Sequence, residues 1–124
     1  MNLTVWIIVA AVFAAVFALK RMSFVSADKA RGLLRQGAVL VDVRNPGEFS
    51  SGHVTGAINV PLGNLSNEAG RRFRDKNQLL LLHCLSGTRS GIARGHLKKL
   101  GYNNVFNLGS YRRAEQIVRT TGKA

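Results

Sequence analysis

The residue types best suited to chemistry lie together in one short stretch, residues 84–90, with the sequence Cys-Leu-Ser-Gly-Thr-Arg-Ser. Its cysteine is the only one in the chain, and the glycine at position 87 allows a tight loop. Successive backbone N–H groups in such a loop bind anions, and a helix behind it adds roughly half a positive charge, so a thiol pKa falls from about 8.5 towards neutrality. We therefore predict that Cys84 is a nucleophilic thiolate. The anion-binding loop would consist of Leu85, Ser86, Gly87, Thr88, Arg89 and Ser90.

The segments on either side explain why a site is expected there. Residues 78–82 read Gln-Leu-Leu-Leu-Leu without polar alternation, which predicts a strand buried on both faces, as in a parallel sheet, although a buried helix turn shows the same pattern. Residues 90–100 have apolar side chains at helical spacing and end before Gly101, which predicts a helix. Ligands bind in open α/β sheets where such strands end. A lone cysteine is more often a buried structural residue, but this order of strand, loop, Arg89 and helix favours a reactive one.

The rest of the chain predicts an α/β fold with a small central parallel sheet flanked by helices. Ser26 is expected to cap a helix that ends before Gly37, and Asp42 follows the strand after it. A turn is expected at residues 45–47 and a short helical turn from Glu48. The remaining predicted elements are strands at 38–41, 56–60 and 104–107, a turn at Gly109, and helices over 64–76 and 111–119.

A long apolar segment comes first. Residues 3–19 are apolar apart from Thr4, a length of about 26 Å as a helix, which is enough to span a bilayer. Basic residues follow the segment at Lys20 and Arg21, whereas a cleaved signal carries them before it. The prediction is a retained transmembrane anchor that contacts lipid through residues 3–19, with its N-terminus outside the inner membrane and the domain in the cytoplasm. The corresponding divisions are 1–21 anchor, 22–25 linker and 26–124 domain.

The charge balance adds two expectations about partners. The net charge is +12, and all of the charged residues follow position 19, which is typical of a solvated surface or of an acidic partner: anionic lipid, nucleic acid or a small anion. Within the basic clusters only Phe73 is aromatic, which is too few for a surface on which bases stack, so specific nucleic-acid binding is not expected. No Cys/His spacing suits a metal site, and no cofactor is predicted. Small residues at Ala10, Ala14 and Ala18 are compatible with a transmembrane homodimer.

Several motifs in order resemble the rhodanese family. Residues 40–49 and 52–61 look like its two N-terminal signatures, residues 84–90 like its active-site loop, and residues 100–102 and 105–108 like its closing segment. The resemblance covers residues 24–119, and an apolar span before such a domain resembles small membrane-anchored bacterial members. It implies a sulfurtransferase that carries sulfane sulfur as a persulfide on Cys84. The donor would be thiosulfate or a persulfide, and the acceptor a thiol or a protein that the sequence does not identify.

The resemblance also implies supporting residues near the loop, namely Asp42, Arg44 and Glu48. Arg44 and Glu48 would form a pair beside the loop, or else an ordinary surface ion pair. The three histidines are assigned structural roles: His53 orders a turn, His83 packs, and His96 lies on a helix surface. Leu85 stands where some thiosulfate-using members have a basic residue, which weakens the case for thiosulfate.

Two other classes of protein remain as alternatives. A cysteine phosphatase or arsenate reductase-type enzyme uses a similar thiolate, but five residues separate its cysteine and arginine, whereas four separate Cys84 and Arg89. A membrane-tethered binding or scaffold module with little turnover would keep the fold. It would not need the nucleophile, yet Cys84 is present.

Overall fold

A computed structural model describes residues 2–122, except for the side chains of residues 21 and 22. The predicted limits at residues 1 and 124 and the side-chain role of Arg21 lie outside this description. The elements in chain order are α1 Leu3–Met22, α2 Ala27–Arg35, β1 Val39–Asp42, α3 Pro46–Ser51, β2 Ile58–Asn59, α4 Leu62–Arg72, β3 Leu80–His83, α5 Thr88–Lys99, β4 Val105–Gly109 and α6 Tyr111–Thr120.

A parallel four-stranded sheet forms the centre, in the order β2-β1-β3-β4. Successive residues of a strand face opposite sides, so the leucines of β3 are divided between two cores. Leu80 and Leu82 face a cluster that includes Phe73 and Tyr102, and Leu81 faces one that includes Ile117. Both sides of β3 are therefore covered, which explains its unbroken apolar sequence and confirms the predicted fold class.

Parallel pairing brings the carboxyl ends of three strands to one edge of the sheet. Asp42 at the end of β1 is in register with His83 at the end of β3, and His83 is in register with Gly109 at the end of β4. The residues that follow these strands therefore meet at that edge. Cys84 is the first residue after β3, so it lies where the sequence predicts a site.

Several predicted boundaries need correction. The predicted turn at residues 45–47 is instead a helix start: Asn45 caps α3 reciprocally with Glu48, and Pro46 opens the helix, as proline does well in a first turn. The helix after the cysteine begins at Thr88 rather than position 90, directly after Gly87. Gly109 ends β4 rather than forming a separate turn, and β2 spans only two residues.

The segment between α1 and α2, which the sequence predicts as a short linker, contacts the domain. The Val25 N–H donates to the Asn107 carbonyl at the edge strand β4, at 2.9 Å, and the Val25 side chain is buried. Helix α1 is different, because its described side chains from Leu3 to Leu19 are all exposed. Its segment Leu3–Lys20 has a mean hydropathy of 2.4 and is long and apolar enough to cross a membrane.

Candidate functional site

The cysteine sulfur sits inside the loop that precedes α5. Gly87 adopts a left-handed conformation with φ of 96°, which turns its N–H towards the sulfur, and this N–H donates to Cys84 Sγ at 3.0 Å. The Ser90 hydroxyl lies 3.5 Å from the same sulfur. Cys84 is only 1% exposed, whereas Leu85, Ser86 and Thr88 are exposed at the rim of the loop. The loop therefore surrounds the sulfur with donors.

These donors determine the acidity of the thiol. Burial by itself raises the pKa of Cys84, and it is the largest single influence. Hydrogen bonds from the Ser90 hydroxyl and from the backbone N–H groups of Ser90, Gly87 and Ser86 together outweigh burial, so the pKa of the thiol lies below its ordinary value. Because these groups stabilise negative charge on sulfur, the loop favours the nucleophilic thiolate.

Asn107 braces the loop from β4, and the sequence interpretation did not identify it. Its side-chain carbonyl accepts from the Ser90 hydroxyl at 2.8 Å, and its amide donates to the Gly87 carbonyl at 3.0 Å. The Ser90 hydroxyl has one hydrogen, which it shares between Asn107 and the sulfur. The backbone N–H groups, including that of Gly87, are therefore the donors that are always available to Cys84. The sequence feature that could have identified Asn107 is its polar side chain within an otherwise apolar strand.

Of the three supporting residues, Asp42 and Arg44 form a buried pair beside the loop. The Arg44 guanidinium donates to both Asp42 carboxylate oxygens at 2.8–3.0 Å, and a further bond of 2.7 Å reaches the Gly52 carbonyl. The pKa of Arg44 is raised, chiefly by the hydrogen bonds to Asp42. The predicted Arg44–Glu48 pair is wrong, because the nearer carboxylate of Asp42 occupies the guanidinium.

Glu48 pairs instead with Arg89 from the loop. Two bonds of 2.6 and 3.0 Å join the guanidinium to the two carboxylate oxygens, and they are the main reason that the pKa of Glu48 falls to about 2. The pKa of Arg89 is raised, first by Glu48 and to a lesser extent by Cys84. Arg89 therefore lies close enough to interact electrostatically with the Cys84 sulfur. Its charge is largely balanced by Glu48, and the two hydrogen bonds of its guanidinium connect α3 to the loop.

This pairing leads to a prediction for Arg89→Ala. Loss of the cation should raise the thiol pKa and the KM for an anionic substrate that reacts with the thiolate. The pair is partly exposed, so we expect about 1–2 kcal/mol, or roughly a tenfold fall in kcat/KM. Steady-state kinetics as a function of pH and donor concentration would measure both effects.

Arg71→Ala is the matched control, since Arg71 forms a pair with Glu68 on α4 through a side chain that is 71% exposed. It should leave the kinetics unchanged. An unaltered KM and pH profile in Arg89→Ala would show that the backbone donors act alone.

The histidines occupy structural positions. His83 is fully buried, with Nδ1 3.1 Å from the Cys84 carbonyl and its ring edge-on to Tyr111, and burial lowers its pKa. His53 stacks on Phe49 and contacts its carbonyl through Nδ1 at 3.0 Å, which orders the turn after α3. The predicted surface position of His96 is wrong in part, because its side chain is half-buried and its Nδ1 is buried.

Comparison with known proteins agrees with this architecture. The family model described as Rhodanese-like domain matches residues 26–113. Thiosulfate sulfurtransferase PspE of Escherichia coli (strain K12) is 38% identical over 69 residues, which is 56% of this chain and 66% of that protein, slightly under two thirds. Thiosulfate sulfurtransferase GlpE of Pseudomonas entomophila (strain L48) is 34% identical over 84 residues, or 68% of this chain and 75% of the relative. The structure of human single-domain sulfurtransferase TSTD1 matches with a TM-score of 0.65 at 28% identity, over 76% of this chain and 96% of that one.

Proposed function

Because the chain belongs to the rhodanese-like domain family, we propose that it is a sulfurtransferase that carries sulfane sulfur as a persulfide on Cys84. The observation that supports this proposal most directly is the sulfur of Cys84, enclosed by N–H donors that lower its pKa. Relatives with names that state thiosulfate sulfurtransferase activity support the class of reaction. No cofactor enters the proposed chemistry.

The proposed reaction has two displacements. The Cys84 thiolate attacks the outer sulfur of the donor, so that a bond forms between Sγ and that sulfur. With thiosulfate, the sulfur–sulfur bond of the donor breaks and sulfite leaves with the electron pair. An acceptor thiolate then attacks the outer sulfur of the persulfide, takes it as a new persulfide, and returns Cys84 to the thiolate. The loop N–H groups stabilise the anionic sulfur at both ends of the cycle.

The donor is thiosulfate or a small persulfide. Leu85 favours neither through charge, because it gives the rim of the loop no cation for the thiosulfate dianion. Its side chain is 58% exposed at the loop rim and adds no positive charge for a dianion. Arg89 is already paired with Glu48, so the attraction of an anion rests mainly on the backbone N–H groups. The acceptor is a thiol of a small molecule or of a protein.

A direct test is to incubate the purified full chain with thiosulfate or a persulfide and to measure its mass by mass spectrometry. Cys84 should gain the mass of one sulfur, and a thiol reductant should remove it. A chain with turnover will also release product when an acceptor thiol is added, whereas a scaffold will not. Absence of the added sulfur with both donors would contradict the proposal.

The phosphatase alternative gains no support from the geometry. Its wider loop would leave the arginine free for a phosphoryl group, whereas Arg89 is engaged by Glu48 on α3. The four residues between Cys84 and Arg89 also form a tighter loop than that chemistry uses. We therefore keep sulfur transfer as the proposed function.

We further propose that α1 anchors the protein in the inner membrane through residues 3–19. Residues 3–19 measure about 26 Å as a helix, and seventeen apolar residues lie within the range of lengths that span a bilayer. No residue of its apolar segment is buried in the described structure, so most of the apolar surface of that segment is exposed. The bias of basic residues after the span favours a cytoplasmic domain. A dimer through Ala10, Ala14 and Ala18 stays a prediction.

This orientation can be tested with protease. The domain should resist protease added outside spheroplasts and be digested in inverted vesicles. Recovery of a shortened, soluble domain would indicate a cleaved signal, and digestion from outside would indicate the reverse orientation.

A further inference from the structure

The connection between α1 and the domain is short, and hydrogen bonds involve residues at both of its ends. The Ser23 hydroxyl donates to the Lys20 carbonyl at 2.6 Å, which closes the end of α1. Two residues later, the Val25 N–H donates to Asn107, and the Val25 carbonyl accepts from the Arg113 guanidinium at 2.6 Å. Helix α1 therefore ends within three residues of these contacts to the domain.

Phe24 fixes this connection to the active-site loop itself. A Cβ built at Gly87 would lie 2.5 Å from Phe24 Cζ, and one built at Gly109 would lie 2.9 Å from Phe24 Cδ2. The ring thus occupies the space that side chains at both positions would need. The Arg113 guanidinium lies 5.5 Å from the centre of the same ring. The residue that follows the proposed anchor by two positions therefore packs directly against the loop that holds Cys84.

The last two turns of α1 and the exposed rim of the loop line one cavity. The cavity has a volume of about 790 Å³ and is lined by Phe17 and Lys20 of α1 together with Leu85 and Ser86 of the loop. Arg112 of α6 lines it as well, and its side chain is exposed. If Phe17 and Lys20 lie where the hydrocarbon meets the headgroups, the rim of the loop lies in the same layer.

We propose that the face of the domain carrying Leu85, Ser86 and Arg112 rests on the anionic headgroups of the bilayer, so that the catalytic loop opens at the membrane surface. This inference rests on the proposed anchor. The chemistry of the face suits that occupant, because an exposed apolar side chain stands beside the cations of Lys20 and Arg112. Basic side chains near an anionic leaflet are attracted to it, and apolar ones enter its boundary. The acceptor thiol would then be presented at the headgroup layer.

The test places a fluorophore on the rim of the loop in the full chain. Leu85→Cys in a Cys84→Ser background is labelled with a thiol-reactive fluorophore and reconstituted into vesicles of phosphatidylcholine and phosphatidylglycerol that contain a spin-labelled lipid. Lys99→Cys in the same background is the matched control, since it ends α5 about 16 Å from the start of that helix at the loop. We expect severalfold greater quenching at position 85 than at position 99.

A charge variant tests the role of the headgroups. Arg112→Gln should reduce quenching at position 85 in vesicles with phosphatidylglycerol, whereas Arg119→Gln, on the same helix and also exposed, should not. Equal quenching at positions 85 and 99 in vesicles that retain the protein after alkaline carbonate would overturn the inference and leave the anchor intact. Release of the protein by carbonate would instead contradict the anchor, and with it the inference.

Discussion

Replacement of Cys84 by serine should reduce sulfur transfer to the background rate while leaving the fold intact. A hydroxyl is a far weaker nucleophile than a thiolate, and serine cannot form a persulfide. Cys84 is the only cysteine in the chain, so no other thiol can take its place. The Gly87 N–H that donates to sulfur can donate to the smaller oxygen, so the loop should keep its shape. The assay is transfer from thiosulfate or a persulfide to cyanide or a thiol, with thermal unfolding as the check on structure.

Ser90→Ala provides the comparison for this result. It removes a hydroxyl donor from the sulfur but leaves the thiol and the Gly87 N–H, so it should retain part of the activity. Its pH–rate profile should move to higher pH, because loss of a donor that lowers the thiol pKa delays thiolate formation. Undiminished turnover in Cys84→Ser would remove Cys84 from the mechanism.

Asp42→Ala should cause the largest loss of stability that the structure predicts. Asp42 is 0% exposed and Arg44 is 6% exposed, and the carboxylate accepts both the guanidinium and the Arg44 backbone N–H. Its removal leaves a buried cation and a buried N–H without their acceptor. Breaking a buried pair in this way costs about 3–5 kcal/mol, a large part of the stability of a small domain. Urea denaturation of the full chain in detergent would measure it.

A surface pair and a double variant sharpen this measurement. Asp28→Ala removes the pair with Arg31, in which the Asp28 side chain is 99% exposed, and should cost less than about 1 kcal/mol. Asp42→Ala combined with Arg44→Met should be more stable than Asp42→Ala alone, because the unpaired buried charge is gone. A loss below about 1 kcal/mol for Asp42→Ala would mean that water or a neighbouring group replaces the carboxylate.

The sequence was sufficient for the order of elements because their patterns are local. The unbroken leucines of β3 suit a strand that is buried on both faces. Ser26 and Ser110 stand where helices begin, and each side chain accepts a hydrogen bond from the N–H three residues later. The Asn45–Glu48 capping box was also readable, since the spacing of a side-chain acceptor and a carboxylate three residues later is its signature. Reading that stretch as a turn missed this local rule.

The partners of the side chains in the site cannot be predicted from their spacing in the sequence, because folding brings them together from different elements. Arg44 and Glu48 are four residues apart, but the strand end places Asp42 nearer to Arg44, and the crossing of α3 over the loop brings Arg89, 41 positions away, to Glu48. Asn107 and Phe24 reach the loop from other elements in the same way. Such contacts follow from the tertiary packing of the sheet edge.

The position of Phe24 also has a consequence for preparing a water-soluble fragment of the protein. The family match begins at residue 26, and a fragment cut there would keep every element of the sheet and all of residues 84–90. It would lack the ring that covers Gly87 and Gly109, and water would reach the back of the loop. A soluble fragment should therefore start no later than Phe24 if its thiol is to represent the thiol of the full chain.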